Sequence, residues 1–232
     1  MKNYTDIIII GAGLSGIGSA CHIKRKNPEK SYIIIEAREE LGGTWSLFKY
    51  PGIRSDSDMY TFGFSFKTWD NPKSFADAPN ILKYLDEAAN EYNIKDKIRY
   101  HTKVAKANFD TQKKMWSIST KNKNNSEEIF YSRFLFSCTG YYNYDEGYTP
   151  DYKGINNFEG KVIHPQHWPE NLDYKNKKVV VIGSGATAVT IVPEMAEKTS
   201  KITMLQRSPT YVGAFPNNCL LYTSPSPRDA IP

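Results

Sequence analysis

A chain of 232 residues, 40% hydrophobic and 24% charged, can bury one large core or two small ones, which excludes a fibre or a wholly disordered polypeptide. Its net charge of +5 is mild and the lysines are scattered, with no basic stripe interleaved by aromatics, so a nucleic-acid partner is not expected. Cys21, Cys138 and Cys219 are odd in number, widely spaced and without CxxC, arguing against both a disulfide framework and a redox-active dithiol.

Met1-Lys2 followed by an apolar run and Gly18-Ser19-Ala20-Cys21 superficially looks like a secretion signal. Thr5-Asp6 precede the run and its four isoleucines are too few for such a signal, so the expected location is cytoplasmic. No stretch approaches the roughly 20 apolar residues of a membrane-spanning helix.

The run Ile7-Ile8-Ile9-Ile10 reads as a buried parallel strand, and Gly11-Ala12-Gly13-Leu14-Ser15-Gly16 reads as the turn that opens a helix on a pyrophosphate. Gly11 permits the tight turn, Gly13 lets phosphate reach the backbone, and Gly16 lets helix and strand pack closely. A second strand, Ser31-Tyr32-Ile33-Ile34-Ile35, ends in Glu36, 20 residues past Gly16, where an acid grips a ribose hydroxyl. Gly42-Gly43-Thr44-Trp45 offers small residues for close backbone approach and a ring to wall off a flavin. The loop over residues 42–66 also contains Tyr50-Pro51-Gly52-Ile53-Arg54-Ser55-Asp56-Ser57-Asp58-Met59-Tyr60, dense in charge for a mere connector.

Ile81, Leu82, Leu85, Ala88, Ala89 and Tyr92 recur at helical spacing, predicting a helix over 79–92 with Asp77 as its cap. Residues 98–109, 115–120 and 129–137 read as an antiparallel meander, with 121–125 as a polar hairpin turn. A linker over 141–176 leads to a second fingerprint, Gly183-Ser184-Gly185-Ala186-Thr187-Ala188, behind Val179-Val180-Val181-Ile182. The next strand, Lys201-Ile202-Thr203-Met204-Leu205, ends in Gln206-Arg207-Ser208 without an acid. A carboxylate there would repel a 2′-phosphate, whereas the fork of Arg207 and the hydroxyl of Ser208 suit one, favouring NADPH over NADH.

The predicted fold is therefore α/β with two Rossmann-like dinucleotide-binding domains, the first carrying an inserted β-meander and the second cut short. Its expected divisions are 1–140 for the first dinucleotide, 141–176 for the linker, 177–217 for the start of the second domain, and a tail over 218–232. That tail leaves the α/β pattern and resembles translated sequencing-adaptor read-through; a disordered Ser/Pro tail is the alternative. Two dinucleotide sites imply a fixed flavin reduced by a nicotinamide cofactor.

The linker contains Phe158-Glu159-Gly160-Lys161-Val162-Ile163-His164-Pro165-Gln166-His167-Trp168-Pro169. As residues alone, His164 and His167 sit at i and i+3, but no Cys or further His completes a set, so no metal is expected. The string fits F-x-G-x-x-x-H-x-x-x-W-P and resembles the fingerprint of Baeyer–Villiger monooxygenases. The resemblance runs from about Asp6 to Tyr211, takes in Gly43-Thr44-Trp45, the Tyr50–Tyr60 loop and Cys138-Thr139-Gly140, and is nearest to the ethionamide-activating branch.

By that resemblance, Gly11, Gly13, Leu14, Ser15, Gly16, Glu36, Gly43, Thr44, Trp45, Asp56, Thr139 and Gly140 line FAD. Gly183, Ser184, Gly185, Ala186, Thr187, Ala188, Arg207 and Ser208 hold NADPH. The implied reaction consumes NADPH and O2 and, through a flavin peroxide, inserts oxygen beside a ketone or oxygenates sulfur or nitrogen of a small apolar substrate such as a thioether. Asp56 is expected to tune a catalytic arginine whose counterpart lies beyond the matching region, and His164 to act as a hinge that senses NADPH. Two other readings stay open, an NAD(P)H flavin oxidase or reductase and a non-catalytic FAD-binding fragment.

Overall fold

The structure, a computed structural model, describes residues 3–213 and Asn217. The tail expected over 218–232, with Cys219, lies outside the described residues. Contacts group the chain into two compact units, each discontinuous in sequence: one is Met1–Leu47 with Ile81–Tyr144, the other Phe48–Asn80 with Asp145–Pro232.

The first unit is built on β1 (Tyr4–Ile10), α1 (Leu14–Lys26) and β2 (Tyr32–Ile35). Ile8, Ile9, Ile17 and Ile34 are wholly buried, as a parallel strand covered on both faces requires. Gly16 has no room for a side chain, because a Cβ there would collide with the Gly11 carbonyl oxygen, so α1 lies hard against the turn that starts it. Cys21 on α1 is buried, and its thiol donates to the Ala88 carbonyl of α4 (Ala78–Glu91) at 3.9 Å. The start of α4 is as predicted, with Asp77 Oδ1 accepting from the Asn80 N–H at 3.0 Å.

Six strands form one sheet in the order β3-β2-β1-β6-β5-β4, where β3 is Ile98–Arg99, β4 Thr102–Asp110, β5 Met115–Asn122 and β6 Glu127–Ser137. The meander of β4, β5 and β6 is antiparallel as expected, and the Asn122 side chain organises the hairpin turn by accepting from Asn124 and Ser126 N–H groups. The expectation of one strand over 98–109 is corrected: β3 joins β2 in parallel, and only β4 belongs to the meander. The break falls at His101, whose left-handed φ of +52° cannot continue a strand. A second departure is that β6 serves two partners, antiparallel to β5 over its first half and parallel to β1 through residues 131–137. Ile8, Ile35, Ile118 and Phe130 form the core under this continuous sheet.

In the second unit, β7 (Lys178–Ile182), α5 (Ala186–Ala196) and β8 (Lys201–Leu205) make the predicted βαβ unit, with β7 and β8 parallel. Ile191 and Met195 of α5 pack with Phe48, Tyr50, Trp168, Tyr174, Val179, Val181 and Ile202. The opposite face of the two strands is open, with Val180 62% and Leu205 56% exposed. No helix among the described residues is long and apolar enough to cross a membrane.

Candidate dinucleotide-binding sites

The first site grows from the end of β1. Gly11 has φ +100°, donates its N–H to the Ile35 carbonyl, and lies so close to the Cys138 carbonyl that a side chain would be excluded. Thr139 and Gly140 thereby sit beside the fingerprint turn. Gly13 is the extended N-cap of α1 and brings no side-chain cap, so the first backbone N–H groups of the helix face outward with its dipole. An ideal Cβ on Gly13 would stand 3.5 Å from the Cα of Gly43, which itself has φ +57°. The two glycine turns lie backbone against backbone, an approach that small residues permit, and Thr44, with Trp45 next in sequence, begins α2 (Thr44–Leu47) beside them.

Glu36 closes the other end. Its carboxylate is buried, accepting from the Ala12 N–H at 2.7 Å and the Arg38 N–H at 2.9 Å. Two backbone donors thus aim the carboxylate while each oxygen keeps a lone pair for a further donor. Three residues at this site escaped the sequence reading. Arg38 donates through its guanidinium to the Gly43 carbonyl and to Ser46; Ser46 is fully buried. Tyr144 places its hydroxyl 3.2 Å from Thr44 Oγ1. A cation two residues past Glu36 was the available signal for Arg38; nothing in sequence marks Tyr144 or Ser46, because their partners are set by tertiary packing.

In the second unit, Gly183 has φ +120° and Gly185 is an N-cap without a side-chain cap on α5. A Cβ at either glycine would meet nothing within 4 Å, so the space before the helix is open. Tyr50 is buried and hydrogen-bonded to Thr187, and burial pushes its hydroxyl above the ordinary tyrosine value. Arg207 and Ser208 follow β8 and are exposed. His164 packs its ring against the backbone of Gly147, and its Nδ1 accepts from the Gln166 N–H at 3.2 Å, leaving the proton on Nε2. Asp56 is exposed and belongs to the second unit, whereas the other expected flavin residues belong to the first. No group of three or more His, Cys, Asp or Glu suited to a metal occurs among the described residues.

The family model described as pyridine nucleotide-disulphide oxidoreductase matches residues 8–213. This chain belongs to that family. The chain is 52% identical over 217 residues to the FAD-containing monooxygenase EthA of Mycolicibacterium smegmatis, covering 93% of this chain and 44% of that protein. It is 50% identical over 223 residues to the probable FAD-binding monooxygenase AlmA of Acinetobacter baylyi, covering 96% and 45%. A solved oxidized steroid monooxygenase bound to NADP superposes with TM-score 0.76 at 28% identity, over 90% of this chain and 40% of that one. OTEMO in complex with FAD and NADP gives TM-score 0.74 at 34% identity, over 88% and 39%. The resemblance to Baeyer–Villiger monooxygenases is borne out by these relatives. The chain spans less than half the length of the curated relatives it matches.

The family name includes disulfide chemistry, which this chain's described cysteines do not suit. Cys21 and Cys138 are free, and burial pushes Cys21 up to about 12 and Cys138 above its ordinary value, suppressing the thiolate that exchange requires.

Proposed function

We propose that this chain binds FAD in its first unit and NADPH in its second, as the dinucleotide-binding part of a Baeyer–Villiger-type monooxygenase that consumes NADPH and O2. The observation that carries the reading is the pairing of a buried, backbone-aimed Glu36 with the uncapped start of α1 at Gly13, against which the Gly43 turn packs. The residues present fit FAD: Glu36 takes the ribose, the outward N–H groups at Leu14, Ser15 and Gly16 take the pyrophosphate, and Gly43, Thr44, Trp45, Thr139 and Gly140 border the path toward the flavin ring. Bound FAD supplies hydride acceptance and the activation of O2.

In the second unit, Gly183, Ser184, Gly185, Ala186, Thr187 and Ala188 form the pyrophosphate turn, and Arg207 and Ser208 meet the 2′-phosphate. His164, its Nε2–H free to donate, serves as the hinge donor toward NADPH, and Asp56 supplies the carboxylate that tunes a cationic partner. The substrates in this reading are small apolar ketones or thioethers. The 141–176 segment acts as linker between dinucleotide domains. The free thiols Cys21 and Cys138 fit work in the reducing cytoplasm.

A second reading is FAD binding without turnover. FAD-loaded chain mixed anaerobically with NADPH, then with O2 and a ketone or thioether, separates the two. Flavin reduction followed by oxygenated product establishes the monooxygenase. Bound flavin that NADPH fails to reduce establishes the binding module, and peroxide release without product is common to an uncoupled monooxygenase and an NAD(P)H oxidase.

A further inference from the structure

We infer that Arg38 is a positioning residue of the first site, holding the Gly43 turn in shape beside the Gly13 turn before a dinucleotide arrives. The inference rests on the FAD reading above and deepens it. The guanidinium donates through Nη1 to the Gly43 carbonyl at 3.2 Å and to Ser46 Oγ at 2.7 Å. Through Nη2 it reaches the Ser46 carbonyl and Glu40 Oε1, both at 3.3 Å. It therefore spans both ends of the first turn of α2 with one planar fork, a geometry that a lysine ammonium cannot reproduce. Ser46 Oγ relays the grip by donating to the Gly43 carbonyl at 3.2 Å.

The main chain of Arg38 is tied as firmly. Its N–H donates to Glu36, and its carbonyl accepts from the His101 N–H at 3.0 Å. One residue thus aims the ribose acceptor through its backbone and fixes the Gly43 wall through its side chain. Gly42 adds a third tie, its N–H donating to the Ala12 carbonyl at 2.9 Å, which attaches the turn to its neighbour while Arg38 sets the turn's own shape. Since the backbone tie survives any substitution of the side chain, loss of the guanidinium should spare the adenosine end and weaken only what lies along the Gly43 wall.

The test is equilibrium binding of AMP and of FAD to the full chain as wild type, Arg38→Met, Arg38→Lys and Ser46→Ala. AMP carries the ribose that meets Glu36 but does not extend along Gly43. The inference expects FAD to weaken about tenfold or more in Arg38→Met while AMP stays within about twofold, with Arg38→Lys recovering only part of the loss. Ser46→Ala, a minimal change that removes one acceptor of the clamp, should weaken FAD in the same sense and leave AMP alone. Unchanged FAD affinity in both variants, or equal weakening of FAD and AMP, would overturn it. Wild type that binds AMP but not FAD, or neither, would instead overturn the FAD reading and this inference with it.

Discussion

Glu36 shows how much one carboxylate can do when the backbone aims it. Both oxygens are already engaged by N–H donors, so Glu36→Gln would turn an amide NH2 toward either Ala12 or Arg38 and leave a buried donor facing a donor. An unsatisfied buried donor costs about 1–3 kcal/mol, which predicts a fall of about tenfold or more in FAD affinity, read by flavin fluorescence titration. Cys21 makes an opposite point about chemistry withheld. With its thiol pushed up to about 12 by burial, it should resist alkylation at mildly alkaline pH in the native chain and react only after unfolding. Rapid native labelling of Cys21, located by peptide mass, would contradict that packing. The place of Glu36 at the end of β2 was legible in sequence from its spacing to Gly16, whereas the contacts of Arg38 were not, because its acceptors are carbonyls and hydroxyl and carboxylate oxygens brought to it by the turn at Gly42 and Gly43.

At the scale of elements, α1 depends on an approach so close that Gly16→Ala must displace either helix or turn. Overpacking of this kind costs about 1–3 kcal/mol, and a lower thermal midpoint with weaker FAD binding is expected. Where β2 begins, Ser31 donates its hydroxyl and N–H to Asp6 Oδ2 at 2.7 and 2.9 Å, holding the Asp6 carboxyl below its ordinary 3.8. A depressed carboxyl stabilises the fold above its unfolded value and loses that contribution as pH falls through the folded one. The stability gap between wild type and Ser31→Ala should therefore be full at neutral pH and shrink below the ordinary carboxylate range, as denaturation midpoints across pH would show. Apolar patterning made β1, α4, β7 and β8 readable, with the glycine turns marking α1 and α5. It failed at residues 98–109 because β-branched and aromatic residues continue on both sides of His101, and only the backbone shows that Ile98 and Thr102 serve different partners.

For the molecule as a whole, two dinucleotide turns of the same design occupy separate units, and their difference lies at the end of the second strand. The first ends in Glu36; the second ends in Gln206-Arg207-Ser208. Arg207→Ala is expected to weaken NADPH more than NADH, by about tenfold in the ratio of their affinities, and equal losses would remove the 2′-phosphate contact. Sequence made both turns visible, but not the grouping of the Tyr50–Tyr60 loop with the second unit, since that follows from tertiary packing such as that of Phe48 and Tyr50 on Ile191 and Met195.

The most direct measurement is an equilibrium titration of the purified chain with FAD, run beside Gly13→Val. A first methyl at Gly13 meets Gly43 only at ordinary contact distance, so the variant should keep its fold while its branches obstruct the backbone N–H groups that open α1. The account predicts saturation at one FAD per wild-type chain and loss of binding in Gly13→Val at unchanged secondary structure. Absence of saturable binding to the wild type, or undiminished binding to a folded Gly13→Val, would contradict it.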